Sequence, residues 1–453
     1  MNVPDEIFKA YDIRGVADLQ LNADIANAIG KAFTRVVSPT TVIIGRDGRV
    51  SSPEYKQAVV DGLTEVGVNV IDVGMVSTDM YYYACATKKL PGIMITASHN
   101  PKEYNGFKMV RQIPYLLSGD DGIQEMKVLI QNDDLPEVAE KAGTVTEWNI
   151  MDGFIEKLLS LVDTTSFKPM RVLIDTSNGM VGPSLIELFK HLPQIEMTPM
   201  YFEVDGTFPN HGGDPLQEEN RRELQERVAA EGFDLGFTFD PDGDRFFCID
   251  STGRFVSGDF LTALLGEYFL KANPGSTIVY DIRASRAVRD LVERAGGTAL
   301  YNRVGHAFIK KRMVDESAVF GGEVTGHYYF SDFYYCDSGV APMLYLMDLL
   351  TKSDKTLAQM IDELEKKYFI SGEINTKGVD SQAVFAELEE VYGSEANQVL
   401  HVDGVSIIFD DWHFNVRASN TEPLVRLNLE ATNKQLMEEK RDEVLALIRK
   451  DRN

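Results

Sequence analysis

Three stretches of the chain share a hydrophobic pattern. Each opens with a short apolar run, passes through helix-like periodicity, and closes with a second apolar run that ends in a polar loop. The first goes from Val42-Ile43-Ile44 to Gly92-Ile93-Met94-Ile95, then Thr96-Ala97-Ser98-His99-Asn100. The second goes from Val172-Leu173-Ile174-Asp175 to Leu235-Gly236-Phe237-Thr238-Phe239, then Asp240-Pro241-Asp242-Gly243-Asp244. The third goes from Ile278-Val279-Tyr280-Asp281 to Ala318-Val319-Phe320, then Gly321-Gly322-Glu323-Val324-Thr325-Gly326-His327. Apolar runs alternating with helical segments predict βαβ units and largely parallel sheets. In such sheets ligands sit beyond the carboxyl ends of the strands, where all three polar loops fall. The strand spacing differs among the three, so they read as diverged repeats.

From about Phe369 the pattern changes. A helical stretch from Gln382 to Tyr392 precedes the apolar runs Val399–Val402, Ser406–Phe409, His413–Arg417 and Leu424–Leu429. A charged amphipathic helix is expected from about Asn433 to Lys450. Strands grouped together predict a small α+β domain. The stretch from Ser371-Gly372-Glu373 to Lys377-Gly378 reads as a hinge or an ordinary loop. The 453 residues exceed one ordinary core. The expected fold class is therefore α/β: three mixed βαβ-type domains of similar topology, plus a C-terminal α+β domain. The expected boundaries are 1–146, 147–252, 253–367 and 368–453.

Composition narrows the function. A net charge of −25 argues against nucleic acid or an anionic membrane as partner. No apolar run approaches the roughly 18 residues of a membrane helix. The first residues lack a basic stretch followed by an apolar one, so no secretory leader is expected. Cys85, Cys248 and Cys336 are far apart and read as buried thiols, which makes the cytoplasm the expected location.

Asp240, Asp242 and Asp244 place carboxylates at alternate positions. An extended strand would spread the outer two roughly 13 Å apart. Sharing one ion requires the chain to curl, and Pro241 and Gly243 suit a turn. Clustered carboxylates favour a hard cation, Mg²⁺ first. An EF-hand does not fit, because Arg245 and Ser251 stand where its glycine and glutamate belong. A solvated acidic turn is the bland alternative. Ser98 follows a buried-looking strand without a GxSxG elbow, so it is either a nucleophile of another kind or a turn-former.

Taken together, these motifs resemble the α-D-phosphohexomutases, in particular the bacterial phosphomannomutase/phosphoglucomutase group, over essentially the whole chain. Thr96–Pro101 resembles that family's phosphoserine loop, with Ser98 as the phosphorylated residue and a metal ligand. Asp240, Asp242 and Asp244 fall on its metal ligands, and Gly322–His327 on its sugar loop. The stretch Arg417-Ala418-Ser419-Asn420-Thr421-Glu422-Pro423 falls on its phosphate loop. Phe8–Gly15 and Tyr104–Lys108 resemble two further family segments.

The resemblance implies that the four domains surround a central cleft, and that the protein is a Mg²⁺-dependent isomerase that converts hexose 6-phosphate and 1-phosphate through a phosphoserine and a hexose 1,6-bisphosphate. It implies catalytic roles for Ser98, His99, Lys108 and Arg245. It implies substrate contacts from Tyr11, Arg14, Arg283, His306, Glu323, Thr325, His327, Arg417, Ser419, Asn420 and Thr421. Lys108, Arg245, Arg283, Arg14 and Arg417 would reverse the field inside an acidic protein. The general base stays open among His99, Lys108, Tyr11, Arg14, His306 and His327. Glu323 and Thr325 would hold O3 and O4, leaving C2 unread, so mannose and glucose phosphates both fit. The expected partner is a phosphosugar, with the protein a monomer or weak homo-oligomer. Phosphoglucosamine mutase, a non-catalytic phosphosugar-binding homologue and an Asp-rich Mg²⁺ phosphatase are the competing readings.

Overall fold

The structure, a computed structural model, describes residue 1 and residues 3–418 and 424–450. The chain forms two compact units. One comprises Met1–Phe255 with Thr325–Asp354, the other Val256–Val324 with Lys355–Asn453.

All three expected repeats build the same strand trio. In the first, Thr41–Arg46 is central, with Asn69–Met75 and Gly92–Ile95 parallel on either side. In the second, Met170–Asp175 lies between Ile195–Met200 and Leu235–Phe239. In the third, Thr277–Asp281 lies between Thr298–Asn302 and Phe320–Gly322. The last strand of each trio runs straight into its polar loop, so all three loops leave equivalent strand ends. In the first two sheets an antiparallel strand follows the loop and returns beside it: Tyr104–Gln112 and Phe246–Asp250. Gly92–Ile95 and Leu235–Phe239 are buried at every position. That explains why their sequences are continuously apolar rather than alternating.

On the first sheet, Ala23–Val37 and Ser52–Glu65 cross at two glycines. A Cβ on Gly30 would sit 2.7 Å from the Val59 carbonyl oxygen, and one on Gly62 would strike that of Asn27. The backbones touch there because neither helix carries a side chain at the crossing.

The C-terminal domain is an antiparallel sheet in the order Phe369–Lys377, Leu424–Ala431, Trp412–Ala418, Val405–Ile408, Gln398–Leu400. Ser381–Tyr392 and Lys434–Ile448 bury Val384, Leu388, Val444 and Ile448 against it. The stretch from Ser371 to Lys377, read from sequence as a hinge or loop, is part of the first strand, with a register shift between Ile370 and Glu373. The glycine there marks an irregularity in a strand rather than its end. The three cysteines are buried and unbridged.

One buried acid ties two helix starts of the first unit together. Asp79 accepts from the Ser77 and Ser338 hydroxyls and from the Met80 N–H. Ser338 in turn receives the Val340 and Ala341 N–H groups at the start of Val340–Thr351. Burial raises the Asp79 carboxyl to about 6, against the lowering effect of those hydrogen bonds.

Two outcomes follow. Gly62→Ala should destabilise the first unit by about 1–3 kcal/mol, read as a lower urea midpoint with activity per folded molecule kept. For Asp79 the folded carboxyl holds its proton longer than the unfolded one, so its contribution favours folding at low pH. That contribution is lost as pH rises from the ordinary carboxylate range to about 6. The loss amounts to about 3 kcal/mol. Asp79→Asn should flatten the pH dependence of unfolding in that window, and parallel curves for the two proteins would contradict it.

Candidate active site

The serine and aspartate loops meet inside the first unit. Ser98 is almost fully buried and has a left-handed backbone, φ 50°. Its N–H donates to Thr96 Oγ1 at 2.9 Å, which closes the loop on itself. Its hydroxyl donates to Asp240 Oδ2 at 2.8 Å and lies 3.2 Å from His99 Nδ1. Since the hydroxyl proton goes to Asp240, the His99 Nδ1–H is the donor in the second contact.

The aspartate loop curls as expected. The Gly243 N–H returns to the Asp240 carbonyl at 3.0 Å, with Gly243 at φ 75°. The Arg245 N–H donates to Asp240 Oδ1 at 3.1 Å. All three carboxylates are buried, and one oxygen from each falls within 4.8 Å of the others.

Three like charges in a dry site need counter-charge. Lys108, on the strand after the serine loop, reaches Asp242 Oδ2 at 2.7 Å and also bonds Asp244 Oδ2. Burial alone would lower the Lys108 pKa; Asp242, Asp244 and Asp240 outweigh it and raise it. Burial pushes Asp240 up, reinforced by its two acidic neighbours. Burial would push Asp242 up too, but Lys108 holds it well below the ordinary carboxylate range. Thr78 adds a hydroxyl bond to Asp242 Oδ2 and an N–H bond to its carbonyl, both 2.8 Å. Asp242 Oδ1 and Asp244 Oδ1 are buried and accept no hydrogen bond from the described residues. Buried carboxylates that come together and keep oxygens free of hydrogen bonds are the donor set of a hard divalent cation, so the loop fits one.

Arg245 and His327 close the group. Arg245 Nε donates to His327 Nε2 at 3.1 Å and lies 3.8 Å from Asp240. His327 Nδ1 is 3.2 Å from Asp337 and 3.7 Å from Asp244. Arg14 bonds the Asn100 side chain, so the N-terminal segment touches the serine loop as well. Tyr11, beside it in sequence, is half-buried. Burial, then the charges of Arg245 and Arg14, holds the His99 imidazole well below its usual range, so it is neutral at physiological pH.

The second unit assembles another set. Arg283 is fully buried and forks onto Asp281 through Nε and Nη2, both 3.0 Å. Its Nη1 donates to Glu373 at 3.0 Å, and Glu373 also receives Arg426 at 2.9 Å. Glu323 lies 4.0 Å from Arg283 and accepts the Gly305 N–H at 3.2 Å. His306 follows Gly305, buried at the start of His306–Asp315. Arg417 pairs with Asp403 at 3.2 Å, and Asp403 also accepts the Val304 N–H at 3.0 Å. Arg283, His306, Glu323 and Arg417 are thus linked through two short loops. Thr325 opens the later segment of the first unit and is half-buried. Ser419, Asn420 and Thr421 lie outside the described residues.

Sequence reading passed over Thr78, Asp337, Glu373 and Asp403. The one available signal was Ser77-Thr78-Asp79, a helix-start pattern, which says nothing about a distant aspartate.

Four family models match the chain in order. The phosphoglucomutase/phosphomannomutase alpha/beta/alpha domains I, II and III match residues 5–134, 152–253 and 257–368, and the C-terminal domain matches 373–447. The chain belongs to the phosphoglucomutase/phosphomannomutase family. It is a phosphohexomutase, an isomerase built on the family's multi-domain α/β fold. A phosphomannomutase of Escherichia coli (strain K12) is 40% identical over 430 residues, covering 94% of each chain. A protein of Xanthomonas campestris pv. campestris (strain B100) described as phosphohexose mutases is 39% identical, covering 98% of this chain and 99% of that one. The crystal structure of a phosphoglucomutase/phosphomannomutase family protein from Burkholderia thailandensis superposes with TM-score 0.89 at 31% identity, covering 100% and 99%. Among the described residues of this phosphohexomutase, no helix is long and apolar enough to cross a membrane.

Thr78→Val keeps the volume but removes the hydroxyl that orients Asp242. Divalent-ion affinity, measured by calorimetry on the purified protein, should weaken at least about tenfold. Thr78→Ser should retain it.

Proposed function

We propose that this phosphohexomutase interconverts mannose 6-phosphate and mannose 1-phosphate, and the glucose pair as well, with Ser98 as the phosphoryl carrier. The observation that carries the reading is the buried contact of the Ser98 hydroxyl with Asp240, beside two carboxylate oxygens that accept no hydrogen bond from the described residues. The names of the sequence relatives support mannose as a substrate.

Asp240, Asp242 and Asp244 would hold Mg²⁺ together with the phosphorylated Ser98. Bound there, the ion supplies electrostatic stabilisation of the phosphoryl oxygens. Lys108 and Arg245 supply the remaining positive charge around the same group. With all three carboxylates ionised, these two cations leave the loop one positive charge short. That balance favours entry of a dication and then tolerates an anionic phosphoryl group.

In the forward direction phospho-Ser98 gives its phosphoryl group to the free hydroxyl of a hexose monophosphate. The P–O bond to Ser98 breaks as the P–O bond to the sugar forms, and the sugar hydroxyl gives up its proton. The hexose 1,6-bisphosphate turns over, and Ser98 takes the other phosphate in the reverse sense. His99 is neutral and directs its Nδ1–H at the serine oxygen, which suits it to donate a hydrogen bond there as charge develops on that oxygen; Tyr11, Arg14, His306 and His327 remain candidates for substrate contact. Glu323 and Thr325 would hold O3 and O4. Arg417, Arg283 and the 419–421 loop would hold the phosphate that is not reacting, because arginine grips phosphate bidentately. Externally added hexose 1,6-bisphosphate would act as activator by phosphorylating Ser98. The reading assigns the phosphoserine, metal, sugar and phosphate roles to domains 1–146, 147–252, 253–367 and 368–453. It describes a cytoplasmic monomer or weak homo-oligomer whose partner is a phosphosugar.

After incubation with a hexose 1,6-bisphosphate and Mg²⁺, intact mass should rise by one phosphate, and peptide mapping should place it within 96–108. Ser98→Ala should lower turnover at least about a thousandfold. Coupled assays on mannose, glucose and glucosamine phosphates decide the sugar: turnover of the amino sugar alone would overturn the substrate assignment, and full activity of Ser98→Ala would overturn the phosphoserine.

A further inference from the structure

Asp47-Gly48-Arg49 follows the central strand of the first sheet, Thr41–Arg46, and its last residue is turned inward. The Arg49 side chain is 1% exposed. Its four terminal N–H groups all meet backbone carbonyls of the serine loop. Nη2 donates to Ser98 O at 2.6 Å and Asn100 O at 2.7 Å. Nη1 donates to Pro101 O at 2.7 Å and Tyr104 O at 3.0 Å. Nε lies 3.2 Å from Asp47 Oδ2, and Asp47 Oδ1 accepts the Arg49 N–H at 3.0 Å and the Ser52 hydroxyl at 2.6 Å. The Phe208 ring lies 5.3 Å from the guanidinium carbon. The same turn grips the far end of the loop, since Asn105 Nδ2 donates to Ser51 and Ser52 at 2.8 and 3.0 Å.

Four carbonyls brought to one side chain call for a donor of matching shape, above all the buried one of Ser98; Pro101 O accepts the Tyr104 N–H as well, at 3.0 Å. Only a planar guanidinium offers two pairs of donors in one plane; a lysine offers three from a single point. The held segment begins at Ser98 itself, whose left-handed backbone is uncommon for a residue with a side chain and needs surrounding structure to maintain it. The ion pair with Asp47 fixes the guanidinium plane, so the carbonyl anchors are fixed before any ligand arrives.

We propose that Arg49 is a positioning residue for phosphoryl transfer, holding the serine loop in the conformation that aims Ser98 Oγ at Asp240. The inference rests on Ser98 being the phosphoryl carrier. Arg49 touches neither the serine oxygen nor the carboxylates in hydrogen-bond range, so its effect is on geometry. Loss of that geometry lowers the rate of transfer and leaves sugar affinity alone, because none of its hydrogen-bond partners belongs to the sugar or phosphate loops.

The test is steady-state kinetics of Arg49→Lys with mannose 1-phosphate, Mg²⁺ and activating hexose 1,6-bisphosphate, with circular dichroism to establish the fold. A kcat loss of about a hundredfold is expected, as for a misplacement of about 1 Å at a reacting group, with KM unchanged. The uptake of phosphate by Ser98, followed by mass, should slow in step. Millimolar guanidinium should restore part of the activity of Arg49→Ala, and methylammonium should not. If Arg49→Lys does not fold, Asp47→Asn, which removes only the ion pair, should give a smaller loss confined to kcat. Unchanged kcat in a folded Arg49→Lys, or kcat and affinity falling together without guanidinium rescue, would overturn the proposal. Ser98→Ala in the same assay separates the two readings: turnover without the serine hydroxyl defeats the phosphoserine itself, whereas a silent Ser98→Ala beside a fully active Arg49→Lys defeats only the role of Arg49.

Discussion

Asp240, Asp242 and Asp244 are buried within five residues of one another, and the first unit is organised around compensating them. Two like charges about 4 Å apart repel by roughly 4 kcal/mol even at an effective dielectric of 20. Burial worsens this by removing water. Lys108 answers from the neighbouring sheet with bonds to two of the three carboxylates. Its strand, Tyr104–Gln112, is the one that follows the serine loop. The pairing that neutralises the acidic loop therefore also docks the serine against it. Breaking such a buried pair from one side costs about 3–5 kcal/mol, so the docking of the first two sheets and the electrostatics of the site are a single interaction.

Compensation is left incomplete in a specific way. Asp242 directs one oxygen at Lys108 and Thr78 and leaves the other bare. Asp244 does the same with Lys108 alone. Hydrogen bonds on one side of each carboxylate fix its plane and leave its second oxygen for another partner. A site fully satisfied by protein donors would have no affinity left for a cation, and one with none would not hold three carboxylates together. The serine loop shows the same logic in its backbone. Its carbonyls are collected by Arg49 behind it, which leaves the hydroxyl free to face Asp240.

The second unit treats positive charge as the first treats negative charge. Arg283 is forked onto Asp281, and Glu373 bridges Arg283 to Arg426. Arg417 is held by Asp403. Buried guanidinium groups need such partners, and the partners set the planes in which the remaining N–H groups point. On a chain with a net charge of −25, this is how the arginines of a proposed phosphate site are kept buried in fixed orientations.

Sequence alone determined what depends on neighbouring residues. Apolar runs located the central strand of each repeat and its closing strand, the third two residues early because Gly321 and Gly322 read as loop; the third member of each trio, Asn69–Met75, Ile195–Met200 and Thr298–Asn302, was not read from the pattern. The position of each polar loop at a strand end followed from the order of elements. Alternate carboxylates with Pro241 and Gly243 between them required a curl and suggested a hard cation. The C-terminal helices came out within a residue or two, because their periodicity is local. What lay outside local reach was decided by tertiary structure. Lys108 meets Asp242 across 134 positions, Ser98 meets Asp240 across 142, and Thr78 meets Asp242 across 164. Nothing in the spacing of Ser77-Thr78-Asp79 or Asp47-Gly48-Arg49 says which distant loop it will hold. Periodicity constrains a residue relative to its own strand or helix, whereas these partners are chosen by how one sheet docks on another, a choice set by charge and shape summed over the whole interface.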